Sequence, residues 1–327
     1  MSKNLNTKPH KDIPRAEDIN RDTLIADIKK KVKDAEKNGN FRTFTTTGKA
    51  IDFPVIEIER GRLLYNLTND RTLISCEEYE KENKCKDFFA PKNFWNAASQ
   101  QAYHKIIYDY IPSEMADVLA VTKNQRDEIF ITSEGIVANG NTRLACMREF
   151  ATNQVSDQFK IIKCCVIDEQ DSNDWDWIRR LVDSMDNQES FSAVYPWYGR
   201  ARRFEKNCIA KGLINITSPH DAGGPKLQDI KKISDSMAYK TPALAIEAFG
   251  MLELARAFVK EDLLSGKFSK LTDLNKLGPK AGRQAFETFY RGDKKVKTEL
   301  IAKEKLRQTV FGAMATEANK KKGEHYA

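Results

Sequence analysis

The sequence of 327 residues lacks several features that mark particular classes of protein. No apolar run approaches the roughly 20 residues that a helix needs to cross a bilayer, and residues 1–18 contain no apolar stretch typical of a secretory signal. The six cysteines form no CxxC pair, and histidine occurs only four times, so no zinc-ligand spacing is visible. These absences argue against a membrane protein, a disulfide-stapled secreted domain and a zinc finger. We expect a cytoplasmic protein with a sizeable core.

Charge is distributed unevenly along the chain. Residues 1–50 carry 12 basic and 7 acidic side chains, and residues 266–327 carry 15 basic and 7 acidic ones. The part between them has 27 basic and 33 acidic side chains. Basic ends suit a polyanion such as nucleic acid, because Lys and Arg displace counterions from phosphates. The alternative is a solvated surface that keeps the protein soluble.

Hydrophobic periodicity predicts a mixture of helices and strands. An amphipathic helix is expected over 20–38, a polar break at the threonine run 45–48, and a strand over 51–59. Further helices are expected over 75–84, 93–110, 114–123 and 142–152, and further strands over 128–132, 136–138 and 159–167. The pattern is helical from about residue 172. We therefore predict an α+β protein in which a small mixed-sheet domain precedes a mostly helical domain.

Four regions follow from these patterns. They are a basic N-terminal extension with one helix (1–50), a small mixed-sheet domain (51–170), a helical domain (171–265) and a basic helical C-terminal region (266–327).

The turn at Asn139, Gly140 and Asn141 joins a predicted strand to a predicted helix. Gly140 permits backbone angles that most residues avoid. The helix that begins near Thr142 directs unpaired amide groups and its positive dipole end at the turn. Together with Arg143, this end forms a natural seat for an anion. The alternative is that the two asparagines only turn and cap the chain, while Arg143 pairs with a surface carboxylate.

The segment GIVANGNTRLACMREF, residues 135–150, resembles the phosphate-binding motif of the ParB/sulfiredoxin superfamily. The strand FKIIKCCVI follows it, and the segment IDFPVIEIERGRLLYNLTNDRT precedes it, in the order that the family shows. The resemblance covers residues 51–167. It implies a ParB-like domain that binds a nucleoside triphosphate, CTP or ATP, with Mg²⁺. The residues that it assigns to the nucleotide are Arg71, Gly140, Asn141, Thr142, Arg143 and Asn187.

In ParB-like proteins an acidic-Asn element follows the last strand and completes the nucleotide site. Here Asp186-Asn187-Gln188-Glu189 stands in that place, with Ser190 where the family motif has Arg. The resemblance implies that Arg143 and Glu189 take part in catalysis if the nucleotide is hydrolysed. It makes Asp186 and Glu189 the candidate metal ligands.

Residues 226–270 resemble the helix-turn-helix part of ParB proteins. Thr241 is predicted to cap the second helix, 242–256, with Pro242 at its first position. This helix offers almost no donors near its start, although base reading requires them. We expect sequence-tolerant DNA contact instead, and the alternative is a structural bundle without base readout. The candidate DNA-binding residues are Lys231, Lys232, Lys240 and Thr241.

The resemblance as a whole implies a nucleoid-associated homodimer that binds DNA and uses the nucleotide as a switch, with slow hydrolysis resetting it. Two other functions stay open on the same scaffold. One is a metal-dependent nuclease or NTPase of the mobile-element or phage-defence type. The other is an adaptor without catalysis, whose helices only bind a partner.

Overall fold

The structure is a computed structural model, and the description that follows covers part of the chain. It covers residues 13, 20–46, 49–122, 124–153, 159–167, 174–186, 197–213, 227–237, 239, 241–261, 270–277 and 286–287. Within these residues the chain forms nine α-helices and five β-strands. The helices are α1 (Arg21–Lys37), α2 (Leu73–Glu82), α3 (Ala97–Tyr108), α4 (Ser113–Thr122), α5 (Asn141–Asn153), α6 (Trp175–Asp186), α7 (Trp197–Ala210), α8 (Leu227–Ser236) and α9 (Pro242–Glu261). The strands are β1 (Phe41–Thr46), β2 (Lys49–Glu59), β3 (Ile129–Ile131), β4 (Val137–Asn139) and β5 (Ile161–Val166).

The chain divides into two compact units. The first comprises residues 1–72 and 79–193, and the second comprises 73–78 and 194–327. The first six residues of α2 therefore belong to the second unit. The first unit contains all five strands, and the second is helical among its described residues. The predicted α+β class is confirmed.

The five strands form one mixed sheet in the order β1-β2-β5-β3-β4. All neighbouring strands are antiparallel except β3 and β5, which run parallel. The parallel pair requires a crossover, which α5 supplies between β4 and β5. Because β4 ends where α5 begins, the predicted turn at Gly140 lies beside an edge strand of the sheet.

Strand β1 corrects one sequence prediction. Thr45 and Thr46, where the sequence predicts a polar break, lie in β1 and pair with Ala50 and Lys49 of β2. Threonine is β-branched and suits a strand with one face in water. The strand was missed because its apolar residues are few and it lies at the edge of the sheet.

Helices cover the sheet of the first unit through apolar side chains. Helix α1 packs along β2 and buries Leu24 and Ile28 completely. A second cluster joins Phe53, Phe130 and Cys165 of the strands to buried side chains of α6. The side chains that α6 contributes are Ile178, Leu181 and Met185.

The second unit is built around α7, α8 and α9. Phe204 and Cys208 of α7 pack with Ile230 and Ile233 of α8 and with Ala245 of α9. Helices α8 and α9 lie where two consecutive helices are predicted, although α9 runs to Glu261 rather than to residue 256.

Candidate functional site

The turn between β4 and α5 has the backbone conformation that the sequence predicts. Gly140 has φ +112°, and a side chain there would place its Cβ 3.1 Å from Cγ1 of Ile129. Helix α5 begins immediately afterwards, with the amide of Leu144 donating to the Gly140 carbonyl at 2.8 Å. The amides that precede Leu144 in the first turn have no acceptor inside the helix. The start of α5 therefore offers N–H donors and a positive dipole end.

Arg71 reaches this helix start from a distant part of the chain. Its Nη1 donates to Oγ1 of Thr142 at 3.1 Å, across 71 residues of sequence. The backbone around Arg71 is held by Asn69, whose Oδ1 accepts from the Arg71 amide at 2.9 Å. The structure thus brings together Arg71, Gly140 and Thr142, three of the residues that the resemblance assigned to a nucleotide.

Asn141 has a different position from the one expected of a phosphate ligand. It is 3% exposed, and its Oδ1 accepts from the Asn66 amide at 3.2 Å. Its Nδ2 donates to the Asn66 carbonyl at 2.9 Å and to the Tyr103 hydroxyl at 3.1 Å. The Asn141 side chain therefore fastens the loop after β2 and helix α3 to the start of α5. Only its backbone amide is left to meet a ligand.

Arg143 is engaged on the sheet side of the turn. Its Nη1 donates to the carbonyl of Glu128 at 3.1 Å, and its Nη2 donates to Oδ1 of Asn139 at 3.2 Å. The Glu128 carboxylate in turn pairs with Arg42 of β1. Arg143 therefore braces the turn against the segment that leads into β3.

An open groove of about 560 Å³ lies beside Glu128. Its lining contains two cations, Arg42 and Lys163, and two carboxylates, Glu57 and Glu128. With equal numbers of both charges, the groove shows no preference for a phosphate. A helix start with an arginine beside it is a donor set that suits phosphate in general, and the start of α5 with Arg71 has this form.

The remaining predicted residues of the nucleotide site lie at or beyond the end of α6. Asp186 is the last residue of α6, and the described part of the structure does not include its side chain; Asn187 and Glu189 lie outside the described residues. The end of α6 does approach the turn, because Asn139 Nδ2 lies 3.9 Å from the sulfur of Met185. Among the described residues, no group of three or more His, Cys, Asp or Glu side chains is placed to hold a metal ion.

Sequence reasoning missed a chain of hydrogen bonds beneath α5 that joins three side chains. His104 lies between the Tyr65 hydroxyl, 2.7 Å from Nδ1, and the Glu149 carboxylate, 2.8 Å from Nε2. A carboxylate only accepts, so a neutral His104 carries its proton on Nε2 and accepts the Tyr65 hydroxyl proton at Nδ1. The three residues are too far apart in sequence for any local pattern to connect them.

Arg148 adds a buried cation next to this chain of hydrogen bonds. It is 0% exposed, donates to the carbonyls of Arg60 and Leu63 at 3.0 and 2.8 Å, and lies 4.6 Å from the ring centre of Tyr65. The thiol of Cys146 has a raised pKa, about 11, mainly because it is buried and to a smaller extent because the charged Glu149 lies nearby. Cys146 is therefore a protonated thiol at neutral pH.

The structure describes three of the four candidate DNA-binding residues. Lys231 and Lys232 are exposed neighbours on α8, and Lys240 lies outside the described residues. Thr241 caps α9 as predicted, with its Oγ1 accepting from the Leu244 amide at 3.3 Å.

The second unit also holds an ion network that the sequence did not predict. The buried Glu205 accepts from Arg202 at 2.5 Å and from Arg256 at 2.8 Å through both of its oxygens. Arg202 also bonds Glu77 at 3.0 Å. Burial raises the pKa of Glu205, but the hydrogen bonds and charges of Arg256 and Arg202 outweigh burial and hold that pKa below its ordinary value.

Comparisons with known proteins add no further assignment. The chain matches no protein family, no curated protein and no solved structure. No helix among the described residues combines the length and the apolar character that crossing a bilayer requires. Any functional conclusion therefore depends on the geometry of the site and on the sequence motifs.

Proposed function

We propose that the protein is a ParB-like, DNA-binding protein whose first unit binds a nucleoside triphosphate, CTP or ATP, at the start of α5. The observation that carries this proposal is the contact between Arg71 and Thr142 at the N-terminal end of that helix. In this proposal the Arg71 guanidinium, the Thr142 hydroxyl and the unpaired amides at the start of α5 bind the same phosphate chain. This donor set fits the charged oxygens of a phosphate chain.

The residues of the turn have separate roles in this proposal. Gly140 lets the chain turn from β4 into α5, because its positive φ and the closeness of Ile129 leave no room for a side chain. Thr142 and Arg71 donate to phosphate oxygens, and Asn141 contributes its amide while its side chain holds the scaffold. Arg143 keeps the turn in place through Glu128 and Asn139, and its guanidinium supplies positive charge to the same end of the helix.

Asp186, Asn187 and Glu189 complete the proposed site from the end of α6. The approach of Met185 to Asn139 supports this, because α6 ends one residue after Met185. Asp186 and Glu189 are the proposed ligands of Mg²⁺, which would neutralise phosphate charge. For slow hydrolysis, Glu189 is the proposed base and Arg143 the stabilising cation.

DNA contact is assigned to the second unit. Lys231 and Lys232 are exposed together on α8, and with Lys240 and Thr241 they would bind the phosphate backbone with little sequence preference. A homodimer that changes conformation with the bound nucleotide would couple the two activities.

A panel of nucleotides tests the site directly. Thermal unfolding of the full chain is measured with CTP, ATP or GTP in the presence of Mg²⁺. A ligand at 100 times its Kd adds about 2.7 kcal/mol of stability, which is a rise in melting temperature of about 5–10 °C for a domain of this size.

Arg71→Ala is expected to abolish the rise, whereas Arg21→Ala is the matched control. Arg21 is an exposed arginine of the same unit, paired with Glu134 at 2.6 Å, and its loss should leave the rise unchanged. A rise that survives Arg71→Ala would contradict the proposed site. The absence of any rise with all three nucleotides would contradict nucleotide binding itself.

One observation favours the adaptor as a second candidate. The side chains of Asn141 and Arg143 are already engaged with protein groups. If the protein is an adaptor, we expect that nucleotides leave its melting temperature unchanged. We also expect that Arg71→Ala leaves partner binding unchanged. A metal-dependent nuclease would instead nick plasmid DNA in Mg²⁺ or Mn²⁺, and Arg143→Ala would remove that nicking.

A further inference from the structure

Helix α1 presents a stripe of lysines on its exposed face. Lys29, Lys30, Lys33 and Lys37 are all exposed, and at 100° per residue they fall within one quarter to one third of the helix circumference. Lys29, Lys33 and Lys37 follow one another at intervals of four residues, about 6 Å apart along the axis. We call these four residues the α1 lysine stripe.

Three of the four lysines of the stripe have no structural partner among the described residues. The ammonium groups of Lys30, Lys33 and Lys37 make no hydrogen bond or ion pair with any residue that the structure describes. Like charges four residues apart disfavour a helix rather than support it. Lys31, outside the stripe, shows the contrast, because its Nζ donates to the Glu57 carbonyl at 2.8 Å.

We propose that the α1 lysine stripe is a second DNA-contact surface, which binds the phosphate backbone of a duplex without reading its sequence. The charge of the stripe is complementary to a polyanion. Asp34 and Glu36 flank the stripe at its two margins and do not interrupt it. The inference rests on the proposed function only in naming DNA as the polyanion, and it is independent of the nucleotide site.

The chemistry of α1 favours a duplex over two other polyanions. A membrane-binding helix inserts an apolar face, but Leu24 and Ile28 of α1 are 0% exposed because they pack in the first unit. Single strands are held by stacking on aromatic rings, and residues 21–37 contain no Phe, Tyr or Trp. Electrostatic contact with regularly spaced duplex phosphates is the mode that remains.

The test measures DNA affinity of the full chain against salt concentration. Fluorescence anisotropy with a labelled 25-base-pair duplex of mixed sequence gives the slope of log K against log salt. The variant K30Q/K33Q/K37Q removes three charges, and glutamine retains good helix propensity. If all three lysines contact phosphates, the slope becomes shallower by about 2.7.

The control variant is K81Q/K86Q/K92Q. These three lysines are exposed in the same unit, so both variants lose the same net charge. We expect the control slope to equal that of the wild type. Equal slopes for wild type and the stripe variant, or equal reductions in both variants, would overturn the proposal.

Two further arms separate this inference from other outcomes. Wild-type protein that binds phosphatidylserine vesicles but not the duplex would overturn the choice of DNA. The nucleotide-induced thermal shift is measured in the same variants. A shallower slope without any nucleotide shift would leave the stripe standing and contradict the nucleotide site, and the reverse result would do the opposite.

Discussion

Replacement of Gly140 by alanine tests whether the turn that opens α5 has the conformation described. At φ +112° an L-residue is strained, at a cost of about 1–2 kcal/mol. The added methyl group would also lie 3.1 and 3.2 Å from two carbons of Ile129, a residue that is 0% exposed. Overpacking of a buried site costs about 1–3 kcal/mol more. We expect Gly140→Ala to destabilise the first unit by about 2–5 kcal/mol.

Gly39→Ala is the matched control for this experiment. Gly39 also has a positive φ, +67°, but no atom lies within 4 Å of the position of an added Cβ. Its replacement should therefore cost only the backbone strain, about 1–2 kcal/mol. Native-state hydrogen exchange at the amides of α5 measures the free energy of opening in the unit concerned.

A double variant isolates the contact with Ile129. Truncation of Ile129 to alanine removes both carbons that the new methyl group would meet, so the combined loss in Gly140→Ala/Ile129→Ala should fall short of the sum by about 1–3 kcal/mol. The reasoning is refuted if Gly140→Ala costs no more than Gly39→Ala, or if the two substitutions in the double variant are additive.

Three other predictions follow from buried or shielded groups. Asn141→Ala should lower the free energy of unfolding by about 2–4 kcal/mol, because it leaves buried partners without hydrogen bonds; urea denaturation measures the loss. The pKa of Glu205 is lowered in the folded protein, so the Glu205 carboxylate stabilises the folded state fully above its unfolded pKa, and this stabilisation is lost as pH falls through its folded pKa. Glu205→Gln should therefore lower the melting temperature at pH 7. It should also reduce the fall in melting temperature that the wild type shows below about pH 4.5. Cys85 is the one cysteine that is not buried, so iodoacetamide at pH 8 should label it first, while Cys146, with its pKa raised to about 11, should react only after unfolding.

The parts of the fold that the sequence predicted are those with strong local signals. Helix α1 was placed within one residue at each end, because Asn20 caps it through its Oδ1 and Leu24 and Ile28 repeat at helical spacing. Gly140 was identified as a special backbone position because an Asn-Gly-Asn turn separates a strand from a helix. Strand β1 was missed, since its stability comes from pairing with β2 and not from its own composition.

The same contrast, between features with and without a local sequence signal, applies to the candidate site. The encounter of Arg71 with Thr142 was expected only through the family resemblance, because no property of residues 60–72 alone points to α5. The engagement of Asn141 and Arg143 with protein groups was foreseen only in outline by the structural alternative, and their actual partners were not predicted, since an exposed and an engaged side chain give the same letters in a sequence. His104 has no sequence signal either, because its partners Tyr65 and Glu149 come from two other segments.

Buried polar groups beneath α5 fix the first part of the loop that leads from β2 to Arg71. Gln100 bonds both the amide and the carbonyl of Tyr65, at 2.8 and 3.1 Å, and Asn141 does the same for Asn66. Arg148 holds two further carbonyls of the same loop. A loop whose backbone is fixed by interior side chains loses little conformational entropy when it binds. The stability of this interior and the affinity of the proposed site are therefore linked, and substitutions at Gln100 or Arg148 should weaken both together although neither residue belongs to the proposed ligand contacts.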